Sequence, residues 1–143
     1  QRAQVIVLAR VFLSAKQEVQ AVSTQPWPRR DRPHRGREEG RFAVDPADLE
    51  VGAKLRIHGA YGMDEVERIA GLIDETSSVL VVGSHIGSLV IPIAKMCSKV
   101  VAVEANPRNY RLLETNIKLN DTTNVEPHHV AASGKEEMIR FQM

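Results

Sequence analysis

The chain has 143 residues, 43% of them hydrophobic, with 19 basic and 18 acidic side chains and a formal charge of +1. That length allows one domain at most, and the single cysteine, Cys97, excludes an internal disulfide framework and suits a reducing, cytoplasmic compartment. The sequence begins at Gln1 rather than Met and ends at Met143 inside a strand-like stretch, so it reads as a fragment.

In residues 4–22, Val5, Leu8, Phe12 and Ala15 fall on one helical face, with Ile6, Ala9 and Leu13 beside it, which predicts an N-terminal helical segment over 1–22. Its apolar run is interrupted by Arg10 and is far shorter than the ~20 residues of a membrane span. Residues 23–41 read as a disordered linker. Pro26, Pro28 and Pro33 alternate with Arg29, Arg30, Arg32, Arg35, Arg37 and Arg41, and too little apolar surface is present to offset the entropy of ordering. Asp31, Glu38 and Glu39 dilute the basic cluster and only Trp27 could stack on a base, so the run reads as solvated charge without specific nucleic-acid binding. His34 has no metal-ligand spacing around it.

A domain is expected over 42–143. It opens with weak signals, a turn at Asp45-Pro46 and a short strand over 54–57. From Met63 a helix is predicted, with Val66, Ile69, Ala70 and Ile73 on one face and Asp64, Glu65 and Glu67 in the first turn, where the helix dipole favours acids.

The stretch 79–104 then reads strand, turn, helix, strand. Residues 79–82 are β-branched at three of four positions, as in a parallel strand buried on both faces, and Val100, Val101 and Val103 make a second one. Gly83 and Gly87 bracket the turn, and Glu104 ends the second strand about 20 residues later, the spacing of a ribose-binding acid in nucleotide-binding βαβ units. The turn is G-x-x-x-G. It lacks the middle glycine that admits a pyrophosphate and the lysine of a phosphate loop, so a dinucleotide or a triphosphate fits poorly and S-adenosylmethionine fits best.

A helix from Ser88 or Leu89 to Cys97 accommodates Pro92 near its first turn. Asn106-Pro107 marks the next helix start, Tyr110, Leu113 and Ile117 share its apolar face, and Asn120 ends it. A third parallel strand is predicted over 125–130 and one more over 138–142.

From about Tyr61 onward the chain resembles the N-terminal half of the FkbM family of S-adenosylmethionine-dependent methyltransferases. The resemblance is carried by "VVGSHIG", by Glu104-Ala105-Asn106-Pro107, and by "NYRLLETNIKLND" followed by "NVEPHHVAAS". It implies an incomplete α/β, Rossmann-like class I parallel sheet and an O-methyl transfer to a small-molecule or glycan-like acceptor. Gly83 and Gly87 would border the methionine and ribose of the cofactor, and Glu104 would hold the ribose hydroxyls. Ala105, Asn106 and Ala131 would lie near the adenine, and His85 stands where the family has Asn.

Two departures from that family are visible. Val81 replaces the acid that ends the first strand, and the acceptor-binding half is missing, so no residue has a claim to the role of general base. A strand over 79–82 left at an open apolar edge would call for a protein partner. The alternatives are a noncatalytic methyltransferase-like interaction module and a fragment of an NAD-dependent oxidoreductase.

Overall fold

The structure is a computed structural model, and it describes residues 5–9 and 40–132. The sheet order is β1 (Val5–Ala9), β2 (Ser78–Val82), β3 (Lys99–Val103) and β4 (Val125–His128), with every pair parallel. Helices α1 (Val51–His58) and α2 (Met63–Ala70) precede β2. Helix α3 (Val90–Ala94) links β2 to β3, and α4 (Pro107–Leu119) links β3 to β4. This is the Rossmann-like parallel α/β arrangement expected from the alternation of β-branched runs with helical segments.

Several expectations are met for identifiable reasons. Asn106 caps α4, its side chain accepting from the N–H groups of Arg108 at 2.9 Å and Asn109 at 3.4 Å, with Pro107 at the first helical position. Pro92 lies in the first turn of α3, where a missing N–H costs little. In β2 and β3 the buried residues alternate with half-buried ones. Val79, Val81, Val100 and Ala102 are sealed, whereas Leu80, Val82, Val101 and Val103 are half-buried, so the second face of the sheet is covered less completely than expected. The main core joins the sealed face to Val66 and Ile69 of α2, Val90 and Ile93 of α3, and Leu113 of α4. Cys97 belongs to this core, where burial pushes its thiol pKa up.

Three corrections concern the N-terminal third. Residues Val5–Ala9, expected within a helix, are strand β1. Three of their five residues are β-branched, and the pairing runs in register from Val5 with Ser78 to Ala9 with Val82. The rest of the 1–22 segment, the linker up to residue 39 and the strand over 138–142 lie outside the described residues. The second correction follows from the first, because β1 pairs along β2 and the edge expected to stand open for a partner is occupied by the chain itself. The third is at 54–57, which is helical rather than a strand. Asp48 drives this, its carboxylate accepting from the N–H groups of Glu50 at 2.8 Å and Gly52 at 2.9 Å, while Gly59, at φ 72°, ends the helix. Among the described residues no helix is long and apolar enough to cross a membrane.

Candidate functional site at the carboxyl edge of the sheet

The chain leaves β2 through a turn whose backbone is mostly left-handed. Gly83, His85 and Gly87 have φ of 76°, 52° and 91°. Glycine takes such angles freely, whereas an L side chain pays about 1–2 kcal/mol, so the shape must be held by its surroundings. A Cβ on Gly87 would also approach Leu113 Cδ1 to 2.9 Å.

Those surroundings begin with β3. The N–H groups of Gly83 and Ser84 both donate to the carbonyl of Val103, at 2.8 and 2.9 Å, and the Ser84 hydroxyl donates to Val81 O. The next residue is Glu104, 7% exposed. Its Oε2 accepts from His85 N at 2.7 Å and its Oε1 from Asn106 N at 2.8 Å. Its own N–H donates to His128 O at the end of β4. One carboxylate therefore ties the turn after β2 to the start of α4. An ionised carboxylate has about four lone-pair positions, so each oxygen keeps one for a further donor.

Gly83, His85, Gly87, Glu104, Ala105 and Asn106 are thus brought to one edge, where adjacent parallel strands end. Ala131 is exposed beyond the end of β4. Val81 is 2% exposed and belongs to the main core, so β2 brings no acid to this edge. The paired histidines both have contacts of their own. His128 Nε2 lies 3.0 Å from Glu126, and His129 stacks on Tyr110 with its Nε2 3.1 Å from Ala105 O. His85 influences a second carboxylate, Asp48. Burial acts to raise the pKa of Asp48, but the N–H groups of Glu50 and Gly52, together with the charge of His85, hold it below its ordinary value. Among the described residues no group of His, Cys, Asp and Glu could hold a metal ion.

Sequence reasoning passed over Asn116. It is fully buried in α4 and donates to Ile86 O, inside the turn, at 2.7 Å. The readable signal was an amide between Leu113 and Ile117, on the apolar face of the helix.

A glycine turn and a buried acid at the shared carboxyl edge of two parallel strands define a Rossmann-like nucleoside-binding fold. Residues 37–136 match the family described as the TRM5/TYW2 methyltransferase domain, and the chain belongs to that family. Among solved structures, Methanocaldococcus jannaschii tRNA m1G37 methyltransferase is 23% identical at a TM-score of 0.50, over 71% of this chain and 30% of that one, a likeness of fold. M. jannaschii TYW2 in complex with AdoMet is 38% identical, over 48% of this chain and 32% of that one, with a TM-score of 0.44. Pyrococcus abyssi Trm5b is 31% identical, over 52% and 22%, with a TM-score of 0.45. The chain spans about a third or less of the length of these proteins. No curated protein sequence matches.

The family corrects three expectations. The chain is a TRM5/TYW2 methyltransferase domain and not a member of the FkbM family. The resemblance rested on the glycine turn, on Glu104 with the Asn106-Pro107 cap, and on the helix and strand that follow, which shape the carboxyl edge of the sheet and carry no information about the acceptor. O-methyl transfer to a small-molecule or glycan-like acceptor loses its support with that family. The exclusion of specific nucleic-acid binding is withdrawn with the change of family, since nothing in the TRM5/TYW2 match supports it. That exclusion was drawn from the diluted basic run in 23–41, which lies almost wholly outside the described residues.

Proposed function

We propose that this chain is the cofactor-binding part of an S-adenosylmethionine-dependent methyltransferase that modifies tRNA. The observation that carries the reading is the match to the TRM5/TYW2 methyltransferase domain across 37–136, which takes in the whole edge from Gly83 to Asn106. S-adenosylmethionine supplies an electrophilic methyl group, and the residues here bind and orient it. Glu104, fixed by two backbone N–H groups and with a lone pair left on each oxygen, accepts from the ribose hydroxyls. Gly83 and Gly87 let the backbone pass close to the ribose and the methionine portion, with His85 between them. Ala105 and Asn106 flank the adenine, and Ala131 approaches it from beyond β4. Rate enhancement by such a site comes from holding the methyl group and a nucleobase acceptor in line. General-base assistance has no candidate among the described residues.

Val81 favours a second reading, a methyltransferase-like module that does not catalyse. Its apolar side chain is sealed in the core, so β2 offers no carboxylate to a cofactor's ammonium group. Calorimetric titration of the full chain with S-adenosylhomocysteine separates the two. Saturable binding that is lost in Glu104→Ala, with none to NAD, supports the methyltransferase reading. Absence of binding to the folded chain supports the noncatalytic module.

A further inference from the structure

The glycine turn is gripped from two sides. On the sheet side are Val103 O and Glu104, as described. On the other, Ile86 is 1% exposed and packs in a second, smaller core with Val51 and Leu55 of α1, flanked by Phe42 and Val44. Asn116 bridges these layers. Its Nδ2 donates to Ile86 O at 2.7 Å and to Ala43 O at 3.1 Å, and its Oδ1 accepts from Ala43 N at 2.6 Å. One helical turn later, Asn120 treats Arg41 in the same way, with Oδ1 accepting from Arg41 N at 2.8 Å and Nδ2 donating to Arg41 O at 2.7 Å. Two amides spaced i, i+4 on α4 thus act as a neighbouring strand for residues 40–44, because an asparagine side chain offers the same donor and acceptor as a peptide group. No apolar residue could satisfy Ala43 and Ile86 together, and each unpaired buried group would carry its full desolvation cost.

We propose that Asn116 is a positioning residue for the cofactor turn. By holding the 40–44 strap and Ile86 O with one amide, it makes the left-handed shape of 83–87 depend on the strap and α1 being docked. The dependence is reciprocal, so a ligand that needs the turn in this shape tightens the strap, and loosening the strap weakens the ligand. The part concerning ligand affinity rests on the S-adenosylmethionine reading. The part concerning the turn itself does not.

The test is amide hydrogen exchange on the full chain without ligand, followed by calorimetry with S-adenosylhomocysteine. In the wild type, Gly87 N is bonded to Ser84 O and Ala43 N to Asn116, so both are protected. In Asn116→Ala, exchange at Gly87 and Ala43 is expected to quicken about tenfold or more, with Val101 and Val103 of β3 unchanged. A second variant, Gly40→Ala, leaves Asn116 intact but drives a methyl group into Asn120 Oδ1 and to within 2.7 Å of Ile91 Cγ2, displacing the strap. It is expected to quicken Gly87 in the same way, and it decides the question alone if Asn116→Ala does not fold. Affinity for S-adenosylhomocysteine is expected to fall about tenfold in both variants, the equivalent of 1.4 kcal/mol. Unchanged exchange at Gly87 when the strap is displaced overturns the proposal. So does quickened exchange with affinity kept within about twofold of a wild type that binds. Quickened exchange in a chain whose wild type binds no S-adenosylhomocysteine upholds the coupling and removes the cofactor reading instead.

Discussion

Replacing Glu104 by glutamine changes little in volume and tests whether one carboxylate holds the site together. Both oxygens accept from backbone N–H groups, at 2.7 Å from His85 and 2.8 Å from Asn106, in a side chain only 7% exposed. An amide has one acceptor and one donor, so in either orientation its NH2 faces one of those N–H groups. The variant loses a hydrogen bond to a charged group and leaves a backbone donor unsatisfied, a combined cost of about 2–4 kcal/mol. Set against a total stability of about 5–15 kcal/mol, that lowers the melting temperature on the order of 10 °C. Thermal and urea unfolding of wild type and Glu104→Gln measure it. A difference below about 0.5 kcal/mol, the range of ordinary surface substitutions, would refute the claim that Glu104 ties the turn to α4.

Three further outcomes follow from the same geometry. Gly87→Ala destabilises by about 2 kcal/mol in urea unfolding, since its φ of 91° is strained for any L side chain and its methyl meets Leu113, which is fully buried. Asn106→Ala costs about 1 kcal/mol by the same measurement, for the lost cap on α4. Glu126 sits below its ordinary pKa of 4.5, first because Lys99 donates a hydrogen bond to it and then because of the lysine's charge, with His128 adding to both. A depressed carboxylate stabilises the fold above its unfolded pKa and loses that contribution as pH falls through the folded value. Glu126→Gln therefore flattens the acid limb of the stability curve below about pH 4.5 and leaves pH 7 to 9 parallel to wild type.

The parts of the fold legible in the sequence are those set by local chemistry. β2 and β3 announce themselves through β-branched runs, and α4 through Asn106-Pro107. The turn and Glu104 are legible because the residue types and their spacing are both constrained. α1 was hidden because Lys54, Leu55, Arg56 and Ile57 alternate like a strand, while the helix is decided by Asp48 and Gly59 at its ends. β1 was hidden because Val5, Leu8, Phe12 and Ala15 also fit helical spacing, and its pairing with β2 is a contact between distant parts of the chain. Asn116 was hidden for a related reason, since its partners Ala43 and Ile86 lie far from it in sequence. The acceptor could not be read from 79–107, because those residues shape a strand edge, its turn and a helix cap.

In the proposed reading the edge from Gly83 to Asn106 receives the nucleoside of S-adenosylmethionine. Titrating the isotope-labelled chain with S-adenosylhomocysteine while following backbone amide resonances tests it residue by residue. His85, Gly87, Ala105 and Asn106 are expected to shift together along one saturable curve, with the Val125 amide at the start of β4 unmoved. A folded chain whose resonances stay still, or shift only away from this edge, would contradict it.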